Sequence, residues 1–217
     1  LLLTGFFTFM VGGFFERNVA DLTAFFLWHP WLYLFLVPAV GMRVWSEERR
    51  QGTIELLMTM PITPWQAIMG KFLASWAFLG LALALTFPVV ITVKYLGNPD
   101  LGVVAGAYIG SFLLAGAYLA ITCLTSALTR NQGIAFIISV VICLFLILAG
   151  WPPVTNILTK ALPDNRWIVE LVSAFSVMTH FEDFQRGVVD SRHLLFFLSV
   201  IGFSLFSTSV VLRSVRS

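Results

Sequence analysis

Four side chains able to hold a proton or a metal fall close together late in the sequence: His180, Glu182, Asp183 and His193. Imidazoles and carboxylates are the groups a metal centre or an acid–base pair would use. Their spacing fits no specific metal motif, so they read as a solvated interfacial cluster, and no metal is expected. Cys123 and Cys143 each lie in an apolar run. Small buried residues are ordinary there, and neither a disulfide nor a metal site is expected. Gly70-Lys71 looks like the tail of a phosphate loop, but Phe72 stands where Ser or Thr is needed and Trp65 where glycine is needed. No nucleophile, histidine and acid combine into a catalytic set. The chain is therefore expected not to be an enzyme, to have no catalytic residues and to need no cofactor.

The elements that must carry these residues are apolar. Of 217 residues, 59% are hydrophobic and 11% charged, against roughly 25% charged in soluble domains. Mean hydropathy is +0.91. These values make an integral membrane protein without a water-soluble domain. A net charge of +2 with no basic patch gives no reason to expect nucleic acid. Long apolar runs without alternation argue for helices rather than a barrel. Six runs meet or approach the span length of about 20 residues. They are Leu1 to about Phe15, Pro30 to about Trp45, Phe72 to about Val93, Val103 to Leu128, Gly133 to Gly150, and Leu194 to Leu212. The expected fold class is thus all-α and polytopic. The first run opens on Leu1 without a charged region before it, so the true N-terminus is expected upstream.

Charge orients the spans. One side would hold Arg43, Arg49, Arg50, Lys71, Arg130, Arg213 and Arg216, packed close to span ends. The other side would hold Arg17, Lys94, Lys160, Arg166, Arg186 and Arg192 among eight acids. The bias by basic residues is only seven to six, yet it and the C-terminal RSVRS place both termini in the cytoplasm. Pro38 and Pro88 should kink their spans, either shaping the bundle or serving as hinges. Gly102, Gly106, Gly110 and Gly116 allow close helix approach, to a neighbouring span or to another subunit. Ser111, Thr122, Thr125 and Ser126 could face a cavity or bond to their own helix.

Two polar interruptions are patterned. In 151–192, Asp164 could cap a helix with an apolar stripe at Trp167, Ile168, Leu171, Val172 and Phe175. Thr179 and Glu182 have the spacing of a capping box, a short helix should end at Gly187, and Asp190 or Ser191 could cap the last span. These short helices would form an outer gate or an interfacial lid. In 43–71, a charged helix carries Glu47 and Arg50, and Gly52 can end it in the left-handed conformation. Thr53 can cap a short helix with Glu55 in its first turn and Ile54, Leu57 and Met58 on one side. Pro61 breaks it, and Thr63, Pro64 and Gln66 start the next helix. Such a bracketed helix could transmit a push or rest on the membrane surface. The spans carry essentially no ionisable groups, which argues against an ion-coupled carrier; energy would have to come from a partner.

The run EERRQGTIELLMTMPITPWQAIMGK, residues 47–71, carries the pattern E-x-x-x-G-T-x-x-x-L-x-x-x-P. It resembles the first cytoplasmic loop of ABC type 2 transporter permeases. This loop and HFEDFQRGVVDSRHLLFFLS, residues 180–199, are similar to the gliding-motility-type branch of that family. The resemblance covers nearly the whole chain. It implies a single six-span transmembrane domain over 1–217, a cytoplasmic coupling loop at 43–71 and short extracellular helices in 151–192. A further interfacial helix would precede the first span. The implied coupling helix runs from about Thr53 to Met60. The coupling residues would be Glu47, Glu48, Gly52, Thr53, Ile54, Glu55, Leu57, Met58 and Pro61. The implied partners are an ABC ATPase subunit, a second permease subunit (identical or related), membrane lipid and an envelope or periplasmic protein. The implied location is the bacterial inner membrane. The implied function is ATP-driven transport, in the export direction, with hydrolysis in the separate subunit. An ATPase-linked anchor or mechanotransmitter without a substrate is the alternative, and a polytopic scaffold without an ATPase is the third reading.

Overall fold

A computed structural model of the chain describes residues 22–54, 63–97, 99–161, 167 and 172–214. All regular structure among them is helical. In chain order the helices are α1 (Thr23–Leu27), α2 (His29–Gly41), α3 (Arg43–Gln51), α4 (Pro64–Ala84), α5 (Phe87–Leu96), α6 (Leu101–Leu128), α7 (Gln132–Leu148), α8 (Pro152–Ala161), α9 (Val177–Gln185) and α10 (Ser191–Ser214).

Helix α6 is the axis of the bundle. Its 28 residues rise about 42 Å, and α2, α3, α4, α7, α9 and α10 all pack on it. In its apolar stretch 78% of residues are buried, against 22% for α4–α5 and 33% for α10. Small residues (Ala107, Ala115, Ala117, Ala120 and Ala127) leave room for this crowd. Three of the expected glycines are seats for helices of the same chain. A Cβ on Gly110 would lie 2.7 Å from Phe184 Cβ, one on Gly106 3.0 Å from the Phe184 carbonyl, and one on Gly116 2.8 Å from the Trp76 indole.

Among the described residues, three stretches are long and apolar enough to cross a membrane: Pro64–Tyr95, Leu101–Leu128 and Ser191–Arg213. A fourth is counted if α7 and α8, which meet at 70°, form one broken span. The expected span at Pro30–Trp45 divides at Met42 into α2 and α3. The 13 residues of α2 cover about 20 Å, short of a hydrocarbon core of about 30 Å. The run Leu1–Phe15 and the expected Asp164 cap lie outside the described residues.

The third run breaks at Leu85–Thr86, within the turn ahead of Pro88, and Pro88 opens α5 in its first turn. Thr86 Oγ1 donates to Leu83 O at 2.6 Å and pairs with the Tyr108 hydroxyl at 2.9 Å. The helix after Phe175 is capped not by Thr179 but by Ser176, whose Oγ accepts from Met178 N and Thr179 N at 3.1 and 3.3 Å. Thr179 and Glu182 instead occupy the interior of α9. The chain then turns at Gly187, with φ +77°, and Asp190 accepts from Arg192 N at 3.0 Å as α10 begins.

Candidate functional site

The charged residues of the 43–71 stretch gather where α3 leaves α2. Met42 interrupts the helix, so the first N–H groups of α3 need acceptors from elsewhere. Ser126, in the last turn of α6, supplies one. Its Oγ accepts from Trp45 N and from Ser46 N, both at 3.0 Å, and donates to Met42 O at 2.8 Å. One donor and two acceptor sites are all a hydroxyl has, so Ser126 is saturated. Trp45 and Ser46 are completely buried at this joint. Arg49 extends the clamp by donating to Ala127 O, a carbonyl at the α6 C-terminus that has no partner further along its own helix.

A second clamp comes from α4. Lys71 Nζ donates to Val44 O at 2.9 Å, pairs with the Glu48 carboxylate, and lies 4.2 Å above the Trp45 ring. The Lys71 and Glu48 side chains are each 28% exposed, so this pair is screened less than an ordinary surface pair. Glu47 points the other way. It pairs with Arg50 at 2.5 Å and accepts from Gln51 Nε2 at 2.7 Å. The Arg50 hydrogen bond is the main reason its carboxyl titrates below the usual range.

The end of α3 follows its sequence signal. Gly52 has φ +73°, a conformation that ends a helix with little strain only for glycine. Thr53 Oγ1 then lies 3.5 Å from Glu48 O. Ile54 turns inward, 6% exposed, and joins the cluster containing Trp45, Ile68 and Phe72. The far bracket is a complete capping box: Gln66 N donates to Thr63 Oγ1 at 3.3 Å and Thr63 N to Gln66 Oε1 at 2.9 Å, with Pro64 opening α4. Glu55, Leu57, Met58 and Pro61 lie outside the described residues. The structure thus brings Glu48, Lys71, Trp45 and Ile54 together, pairs Glu47 with Arg50 and leaves Gly52 and Thr53 exposed.

The hydroxyls of α6 are enclosed within the chain. Thr122 donates to Tyr118 O at 2.7 Å, and Thr125 donates to Thr122 O at 3.0 Å and bonds Ser139. Ser111 is buried with no partner among the described residues. Ser126 was legible as a hydroxyl but not as the α3 clamp, because its partners are 80 and 81 residues away.

The sequence profile of the ABC-2 family transporter proteins matches residues 7–211. The chain belongs to that family. It is accordingly a multi-pass membrane protein and the permease component of an ABC transporter. Permeases of this family are membrane subunits that pair with an ABC ATPase and often with a second permease. No curated protein matches this permease by sequence.

Proposed function

We propose that this permease is a six-span half-transporter of the bacterial inner membrane, with both termini cytoplasmic, and that segment 53–60 is its coupling helix. Residues 1–217 form one transmembrane domain in this reading. The run at 1–15 and the α2 segment supply the spans beyond those with full length. Stretch 43–71 faces the ATPase, and 151–192 faces outward. The observation that carries the proposal is the double clamp on α3, through Ser126 and Arg49 to α6 and through Lys71 to α4. A helix that is to pass on a push must not pivot on its own, and these contacts remove that freedom. Ile54 and the Thr63–Gln66 box then fix both ends of the intervening segment.

In this mechanism ATP is hydrolysed in the partner ATPase. Its movement presses on Glu55, Leu57 and Met58, and Pro61 separates that surface from α4. Glu47, Gly52 and Thr53 form the near edge, and Glu48 links it to Lys71. Force passes into α6 at Ser126 and into α4 at Lys71. A second copy or a related permease completes the transporter, which works in the export direction. The test is ATPase activity of the co-purified complex in membranes after Glu55→Ala and Leu57→Ala. Loss of stimulation with the complex intact is expected; unchanged ATPase binding and stimulation would remove the coupling assignment.

One observation favours a second reading, in which this gliding-type permease passes force to an envelope protein and moves no substrate. Thr122, Thr125 and Ser126 bond inside the chain rather than lining a path. A co-purifying envelope partner, together with a dimer interface that excludes water, would select it over transport.

A further inference from the structure

The far end of α6 carries chemistry that the coupling mechanism does not use. Helix α9 sits there on Gly106 and Gly110, and the turn at Gly187 folds the chain back so that α9 meets the start of α10. His180 Nδ1 lies 2.7 Å from His193 Nδ1. His180 Nε2 lies 3.2 Å from Ala174 O, and His193 Nε2 lies 2.9 Å from Asp183 Oδ2. These residues form a chain of contacts rather than a ring of ligands around one point. The His193 side chain is only 16% exposed, and the Phe196 ring lies 4.0 Å from the His180 ring. The cluster expected from the sequence is thus a partly solvated chain of contacts, with the Asp183 side chain 34% exposed.

Proton counting decides what this chain of contacts must be. A carbonyl oxygen only accepts, so Ala174 requires a proton on His180 Nε2. An ionised carboxylate only accepts, so Asp183 requires a proton on His193 Nε2. Two imidazole nitrogens 2.7 Å apart require one proton between them. Three contacts need three protons, and two neutral histidines bring two. The third stays with the group wherever it sits, including on Asp183.

We propose that His180 and His193 form a single proton-binding site that clasps α9 to α10, closed when the pair holds one extra proton. Removing that proton leaves one contact of the chain without a hydrogen. Adding another sets two N–H groups against each other at Nδ1. The clasp is therefore closed between two limits and opens on either side. Burial, the largest influence, holds His180 below its ordinary value, followed by the Ala174 carbonyl acting in the opposite sense. His180 thus resists the second proton.

Asp190, at the start of α10, acts on His193, and Arg192 is its neighbour in sequence. Glu182 and Arg186 of α9 lie with Asp100, the N-cap of α6, around a separate cavity, alongside Leu22, Phe26 and Val104. Helices α1 and α7, which also pack on α9, carry no Asp, Glu, Lys, Arg or His.

The test is imidazole nitrogen NMR of the full permease–ATPase complex in lipid nanodiscs, ¹⁵N-labelled at histidine, from about pH 5 to 9. His180→Gln and His193→Gln serve for assignment only. The expected result is a coupled pair: both rings report one shared titration step in which the extra proton is taken up, and Asp183→Asn lowers the proton affinity at least tenfold. Two rings that titrate independently, or a midpoint unmoved by Asp183→Asn, would overturn the site. Hydrogen exchange on the unmutated complex gives a second arm. Protection of 177–185, corrected for intrinsic rate, should fall as pH rises through the NMR midpoint while 113–123 in α6 stays protected. Constant protection of α9 across that midpoint would overturn the clasp.

Discussion

At the Ser126 end of α6 the neighbouring helices are held by Arg49, by Lys71 and by one saturated hydroxyl. At the Gly106 end, roughly 30 Å away along the helix, α9 is held by a glycine seat and by two histidines. These contacts tie α3 to both α6 and α4. Histidines allow α9 to be released. The comparison teaches that one stiff helix can carry a permanent joint at one end and a conditional joint at the other. In the proposed mechanism the permanent joint receives the push, and the conditional joint answers to the compartment α9 faces.

Gly110→Leu should have the largest effect and break the comparison at the α9 end. A side chain there meets Phe184 at 2.7 Å, and overpacking of this kind costs about 3 kcal/mol. Thermal unfolding in detergent should show the loss. Hydrogen exchange should place it in 177–185, with 43–51 unaffected. Ser126→Ala should act at the other end. It strands two buried N–H groups and costs about 2 kcal/mol, with exchange rising in 43–51 and α9 unchanged.

Lys71→Met is smaller. It leaves the half-buried Glu48 carboxylate without its cation, at about 1 kcal/mol. Adding Glu48→Gln should recover part of that loss, a coupling readable in a double-mutant cycle. Glu47→Gln sharpens the contrast by doing least, because the Arg50 side chain it pairs with is 61% exposed. No shift in melting temperature is expected at neutral pH. The sign of any effect is fixed: Glu47 titrates below its ordinary value, so its contribution exists at neutral pH and fades only in acid.

The local punctuation was legible in the sequence. Gly52 ends α3, and Thr63, Pro64 and Gln66 open α4, because these signals act over three or four residues. The long apolar runs gave α6, α7 and α10 within a few residues. What escaped was set by distant partners. Nothing near Ser126 says that it serves the start of α3, and nothing near Lys71 says that it reaches back 27 residues to Val44. The Thr179–Glu182 spacing misled because Ser176 stands one turn earlier with a free hydroxyl. His180 and His193 were visible as residue types, yet only the reversal at Gly187 brings their rings together.

The central claim is that the clamped α3 presents segment 53–60 to the ATPase. A photocrosslinking amino acid placed singly at Glu47, Leu57, Trp65 and Thr129 in the assembled complex tests it most directly. The account predicts the strongest crosslink to the ATPase from position 57, and a weaker one there when Ser126→Ala loosens α3. A crosslink from position 129 with none from 57 would contradict it.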